Sequence, residues 1–258
     1  MKNKIKVFLL LCSIMTCNMA SAFEAVASPP RFELKANPGQ VVRGVFEITN
    51  AGRKRESYGI KTMDWTFSKD AAVQMHDKLL SDSCRPWVRI ERPVLTLNSG
   101  QKYKYRFEVA VPEGSLVSEC KFIITIDGDA QVVEGGPPIA GRLGIVVYVN
   151  IAGAKPILSV GSALAKELNG QKTPSVEIKN DGNAHGRING FLKVVDNKGE
   201  EFEVTPSTYP IMAGETRFVF FQPENKLEKW MTIEYPVTLT GDIEWEGGKH
   251  VLNVKIER

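Results

Sequence analysis

Cysteine is scarce in this chain: four residues in 258, and two of them, Cys12 and Cys17, fall in one apolar run near the N-terminus. The other two, Cys84 and Cys120, lack the C-x-x-C spacing of a redox or zinc site. Histidine is scarcer still. His76, His185 and His250 are scattered, which leaves no ligand set for a metal. No serine sits in a G-x-S-x-G elbow, and Gly135-Gly136 and Gly141 lack the lysine that completes a phosphate-binding loop. Asp127 and Asp129 flank one glycine, too little for a calcium site. Glu244 and Glu246 share one face of a strand, as do carboxylates on many solvated surfaces. These absences predict no catalytic residues, no metal and no cofactor.

Excess charge is also missing. The formal net charge is +3, and Lys2, Lys4 and Lys6 account for it. A near-neutral remainder argues against nucleic acid as a partner. Beyond the N-terminus there is no further run of roughly 18 apolar residues, so membrane insertion is not expected. The N-terminus itself reads as an export signal over residues 1–22. The three lysines precede an apolar stretch from Val7 to Cys17, and Ala20-Ser21-Ala22 offers a small-x-small cleavage site. Lipidation at Cys17 is disfavoured by its neighbours Thr16 and Asn18. An exported chain with an even pair of cysteines left predicts a Cys84–Cys120 disulfide.

What the chain has in quantity is strand signal. Tyr103, Tyr105, Phe107, Val109 and Val111 alternate with polar or small residues, as on a half-buried antiparallel strand. Val42, Phe46 and Ile48 predict another strand, ending at Asn50-Ala51-Gly52, and Phe122, Ile124 and Ile126 a third. Ile145, Val147 and Val149 lie in a more continuous apolar run, as on a strand covered on both faces. Turn residues punctuate these runs at Asn37-Pro38-Gly39, Asn98-Ser99-Gly100 and Asp181-Gly182-Asn183. Helical periodicity is nearly absent. Ala71 to Ser81 reads as one short helix or an ordered excursion before Cys84. The small, flexible stretch Ile151 to Pro156 reads as a hinge, after which the pattern restarts with Val176/Ile178, Phe202/Val204, Phe218/Phe220 and Leu252/Val254/Ile256. The prediction is an all-β fold of two tandem immunoglobulin-like β-sandwich domains, residues 23–152 and 153–258. Trp65 and Trp87 read as core aromatics, Arg106 as a surface ion pair and His185 as a turn residue. Tyr148 and Tyr209 are candidates to line the cleft between the domains.

The order of several pieces resembles the periplasmic pilus-assembly chaperones of chaperone–usher systems, in a divergent, archaic or alternative form. The pieces are Ser28-Pro-Pro-Arg31-Phe-Glu-Leu34, Phe46-Glu-Ile-Thr-Asn50-Ala-Gly52, Trp87-Val88, Pro93-Val-Leu95, Gly100-Gln101 and Tyr105-Arg106-Phe-Glu-Val109-Ala-Val111-Pro112. The second half adds Val176-Glu-Ile-Lys-Asn180-Asp-Gly182-Asn183-Ala-His185 and Ile211-Met-Ala-Gly214-Glu. The resemblance implies a boomerang arrangement of the domains and a periplasmic location. It also implies two partners, a pilin or fimbrial subunit and an outer-membrane usher. Such chaperones lend a β-strand to an incomplete subunit and grip its C-terminal carboxylate with two basic side chains, one on the first strand and one on the last strand of the first domain. Those positions fall on Arg31 and Arg142, and arginine suits them because its planar fork holds a carboxylate bidentately. Candidate strand-donor residues are Val133, Ile139, Leu143 and Ile145. The stretch before Arg142 departs from the family pattern, because Pro137 and Pro138 remove backbone donors there. Two rivals remain open. One is an Ig-like structural or adhesive protein of the cell surface. The other is a carbohydrate-active enzyme, which needs a carboxylate pair in a cleft.

Overall fold

The computed structural model describes residues 23–68, 72–130, 140–225 and 228–258. The expected export signal (1–22) and the candidate donors Val133 and Ile139 lie outside the described residues. The described chain runs through β1 (Ala25–Ser28), β2 (Arg31–Ala36), β3 (Val41–Asn50), β4 (Glu56–Phe67) and β5 (Val73–His76). After a 3-10 turn at Arg85–Trp87 come β6 (Val88–Ile90), β7 (Val94–Leu97), β8 (Lys102–Ala110), β9 (Ser118–Gly128) and β10 (Arg142–Ile151). The second half holds β11 (Leu158–Leu168), β12 (Gln171–Asn180), β13 (Leu192–Val195), β14 (Glu201–Pro206), β15 (Thr216–Gln222), β16 (Val237–Trp245) and β17 (Gly248–Ile256).

The first half is two facing sheets. One has the order β1-β3-β8-β6; the other has the order β2-β10-β9-β4-β5, with β7 also paired to β4. Alternation along each strand sends one set of side chains inward. Phe46 and Ile48 on β3, Tyr105, Phe107 and Val109 on β8, Phe122, Ile124 and Ile126 on β9, and Ile145, Val147 and Val149 on β10 are buried together. Each such side chain contributes about 1.5–3 kcal/mol by leaving water. In the second half the order is β11-β12-β15-β14-β13-β16-β17, wrapped around a separate core that includes Val176, Ile178, Val194, Phe202, Val219, Phe221 and Leu239. The fold is therefore all-β, with two β-sandwich domains in tandem.

Two local features position the site. β1 pairs with β3, but Pro29 and Pro30 have no N–H to extend that ladder, and the chain passes to the facing sheet. There β2 runs parallel to β10, with Arg31 opposite Val146 and Glu33 opposite Tyr148. The second feature is β10 itself, which is covered on both faces between Ile145 and Val149. Ile145, Val147 and Val149 face the inter-sheet core, while Tyr148 points outward and is still only 2% exposed.

Of the two readings of Ala71 to Ser81, a short helix or an ordered excursion before Cys84, the described part takes the second. The described part of the segment 71–81 contains no helix: Val73–His76 is a strand hydrogen-bonded to Asp64–Phe67, and an ordered loop then leads to Cys84. On β15 the buried side chains are Val219 and Phe221, one residue later than the Phe218/Phe220 pairing. The strand is apolar on both faces, so its composition does not specify which face turns inward. Phe218 instead carries the Lys166 ammonium 3.8 Å above its ring. Trp65 is buried, but on the outer face of its sheet with Met63, Ile123 and Tyr148, not between the sheets. Trp87 packs against the inter-sheet core, and Arg106 reaches Glu91 at 3.9 Å.

Candidate functional site

The outer face of the sheet that holds β2, β10 and β9 meets the second domain. Residues two apart share a face of a strand, so β2 presents Arg31, Glu33 and Lys35 outward while Phe32 and Leu34 pack inward. Tyr148 of β10 presents its ring to the same side. His185, from the loop after β12, stacks on that ring, with centroids 4.0 Å apart and planes 29° off parallel. Its Nδ1 lies 2.8 Å from Glu119 Oε2 on β9, and its backbone N–H donates to Glu119 Oε1 at 3.1 Å. Both side chains are 8% exposed. A charge-assisted contact of this kind is costly to break from one side, because the other partner stays behind in a dry site.

Arg187 follows two residues later. Its Nη1 donates to the Thr208 carbonyl at 2.6 Å. Its Nε stands 3.5 Å from Glu33 Oε1, within ion-pair range but not aligned as a hydrogen bond. Burial lowers the proton affinity of this guanidinium below the ordinary arginine value, and the nearby charge of Arg31 acts in the same direction. Burial likewise pushes the Tyr148 hydroxyl well above the usual tyrosine range. Glu33, Tyr148, His185 and Arg187 help to line a cleft cavity of about 210 Å³.

Apolar contacts continue the interface. Tyr209 meets Phe67 edge-on with centroids 6.2 Å apart, Arg217 lies 5.3 Å over the Phe67 ring, and Met212 packs against the Trp65–Tyr148 cluster. Tyr148 and Tyr209 thus both lie where the two domains touch. The loop after β12 is also tied by backbone: Glu119 N–H donates to Asn183 O at 2.9 Å, and Asn183 Nδ2 donates to Val117 O at 2.8 Å.

The two arginines singled out by sequence are not side by side. Arg31 is aligned with Val146, four residues along β10 from Arg142, a distance of about 13 Å on a strand. Arg142 is held bidentately by Asp127, at 2.6 and 3.0 Å, and those bonds raise its proton affinity above the ordinary value. Arg31 makes a 2.9 Å ion pair with Glu33 and is about half exposed. The cation that the fold brings toward Arg31 is Arg187, from the other domain. Sequence reading passed over Arg187, Glu33 and Glu119. Only the alternation in Arg31-x-Glu33 and the short spacing His185-x-Arg187 hinted at shared faces.

A second feature lies at the start of β10. The pairing with β2 begins at Val146, so among the described residues no strand pairs with Arg142–Ile145 on the side away from β9. An apolar groove runs beside this edge, lined by Ala25, Val26, Ala27, Pro30, Leu143, Gly144 and Ile145. Leu143 is partly buried there, whereas Ile145 belongs to the domain's own core. Val26 is 54% exposed.

No protein-family model matches the chain, and no curated protein does. Among solved structures the chain is similar to the YadV chaperone, at 11% identity and a TM-score of 0.49, over 90% of this chain and 99% of that one. It is similar to the CsuC–CsuE chaperone–tip adhesion subunit pre-assembly complex from archaic chaperone-usher Csu pili of Acinetobacter baumannii, at 13% identity and a TM-score of 0.47, over 90% and 97%. It is also similar to the E. coli chaperone DraB, at 12% identity and a TM-score of 0.47, over 90% and 98%.

Proposed function

We propose that this protein is a periplasmic chaperone for pilin or fimbrial subunits, exported through cleavage after Ala22 and acting with an outer-membrane usher. The observation that carries the reading is the open edge of β10 at Arg142–Ile145, set beside an apolar groove. An unpaired edge offers backbone donors and acceptors to another chain, and a neighbouring apolar surface rewards the pairing. In this reading a subunit that lacks a strand pairs along that edge. Leu143 inserts into it, with Val133 and Ile139 as further candidates from the preceding segment. Arg31 neutralises the subunit's terminal carboxylate. The domains 23–152 and 153–258 form the two walls of the cleft that receives it. The ordered set of sequence pieces that ends in Asn180 to His185 supports the same reading.

The test is co-purification from periplasm, with tagged wild type and Arg31→Ala side by side and the bound partner identified by mass. One small β-rich subunit on the wild type, reduced at least tenfold on Arg31→Ala, is the expected result; that is the loss typical of removing one charge-assisted contact. An empty wild type, in cells expressing a pilin from the same gene cluster, would instead favour an Ig-like structural or adhesive surface protein.

A further inference from the structure

The loop that carries His185 is built twice in this chain. In the second domain the buried Asn180 accepts from Gly182 N–H and donates to Ala184 O, which holds residues 181–185 in one shape. In the first domain the buried Asn50 accepts from Gly52 N–H and donates to Lys54 O, and Ser99 Oγ donates to Gly52 O at 2.6 Å. Counted from the asparagine, Asn183 and Arg53 share the third place, and His185 and Arg55 share the fifth. In the second domain those two places do the docking. Asn183 Nδ2 donates to Val117 O, and the Asn183 carbonyl accepts from Glu119 N–H. His185 meets the Glu119 carboxylate with its ring and its backbone N–H. The surface engaged is one carboxylate and the backbone beside it, at the start of β9.

The loop of the first domain lies at the end of its sandwich away from the junction. Asn50 is paired with Ala25, and Phe23 lies against Gly128 and Gly141, whereas Ile151 leads into the second domain from the other end of β10. Arg53, Lys54 and Arg55 are all exposed and form no ion pair among the described residues. Glu24 and Glu56 flank the loop, and neither pairs with the three among the described residues. Cations fixed on a loop without counter-charge favour a partner surface of the opposite sign.

We propose that the loop 51–55 is a docking loop for an acidic surface on another folded protein, met through Arg53 and Arg55 as Asn183 and His185 meet the start of β9. A second copy of this chain does not offer that surface at β9, because its own His185 already covers Glu119, leaving both side chains 8% exposed. The docking needs neither strand donation nor any part of the cleft, so it stands or falls apart from the chaperone reading.

The probe is a capped octapeptide of alternating Glu and Ser, which has no terminal carboxylate and no apolar side chain for the groove beside β10. It is titrated into the purified protein while backbone amide resonances are followed. Shifts should be confined to residues 51–55 and the adjoining 98–101, and added salt should reverse them. Arg53→Gln and Arg55→Gln should each weaken binding about fivefold, the upper end for an exposed ion pair. Lys54→Gln removes the same charge from the place that Ala184 holds in the second domain, a place that docks nothing, and should weaken binding less than about twofold. The Gly52 amide, held by Asn50, should keep its resonance in all three variants, as expected for an intact loop. Equal weakening by Lys54→Gln would overturn the docking geometry and leave only a diffuse charge effect. Absence of shifts at 51–55 would overturn the surface itself. Co-sedimentation with phosphatidylglycerol–phosphatidylethanolamine vesicles is the counter-test. Vesicle binding lost in Arg53→Gln/Arg55→Gln, with no response to the peptide, would overturn the protein partner in favour of a membrane surface.

Discussion

Asn180→Ala should destabilise the protein by about 3–4 kcal/mol, because several buried backbone groups lose their partner at once. Asn180 is fully buried at the end of β12. Its Oδ1 accepts from Gly182 N–H at 2.9 Å and Ile157 N–H at 3.2 Å, and its Nδ2 donates to Ala184 O at 2.8 Å and Ile211 O at 2.9 Å. Those four bonds tie the entry into the second domain, the loop that leads to His185, and the turn at Ile211 to one side chain. Gly182 leaves no way round, since a Cβ there would lie 2.3 Å from Lys155 O. Urea unfolding is the measurement, and the midpoint should fall with little change in slope. A midpoint equal to wild type would mean that water replaces all four bonds without loss.

The same station exists in the first domain, and Asn50→Ala should behave alike. Asn50 ends β3 and is fully buried. Its Oδ1 accepts from Gly52 N–H at 2.9 Å, and its Nδ2 donates to Lys54 O at 2.7 Å and Leu97 O at 3.1 Å. The backbone repeats as well. Asn50 N–H donates to Gln101 O and Asn50 O accepts from Gly100 N–H, just as Asn180 N–H donates to Glu215 O and Asn180 O accepts from Gly214 N–H. Gly100 and Gly214 both sit at positive φ, 71° and 75°. The two domains therefore share a motif of two backbone bonds and three side-chain bonds, to which Asn180 adds the bond from Ile157 N–H, and no short-range comparison of the sequence exposes it. The pieces are visible as Asn50-x-Gly52 with Gly100-Gln101, and Asn180-x-Gly182 with Gly214-Glu215. The separation to the partner carbonyl differs, at 47 residues in one domain and 31 in the other, and this hides the repeat.

That contrast marks what could be read in advance. Strands with one face in the core announce themselves by alternation, as β8 does in Tyr103, Tyr105, Phe107 and Val109. The continuous apolar run of β10 predicted cover on both faces, and Tyr148 is indeed covered, by His185 of the other domain. Phe218 and Phe220 went the other way: alternation is silent when both faces of a strand are apolar. The cleft was the least legible part. Glu33, Glu119, His185 and Arg187 come from three separate stretches, and each looks like a solvated charge or a turn residue until the parallel pairing of β2 with β10 and the packing of the domains bring them together. Arg31 was found through resemblance, whereas its neighbour Arg187 could be found only through geometry.

Cys84→Ser should cost about 3–4 kcal/mol, from the chain entropy that a cross-link of this span removes from the unfolded state. The structure joins Cys84 to Cys120, which have a sequence separation of 36 and Cα atoms 5.4 Å apart. The bond fastens the crossover that carries the chain from β5 in one sheet to β6 in the other. It is not the only fastening. Asp64 is 1% exposed and accepts from Leu80 N–H at 2.7 Å and Ser83 Oγ at 2.6 Å, and Lys121, one residue after Cys120, pairs with Asp82. Both sets hold residues 80–84 against β4 and β9, so their effects should not simply add. Thermal melts of wild type, Cys84→Ser, Asp64→Ala and the double variant resolve this. Cys84→Ser alone should lower the melting temperature by roughly 10 °C, and a reductant should lower the wild type to match while leaving the variant unmoved. An unchanged melting temperature in Cys84→Ser would mean that Asp64 and Lys121 already fix the crossover without the bond. If the double variant loses more than the two single losses together, the polar contacts and the disulfide stand in for one another: either alone keeps the crossover seated, and losing both releases it.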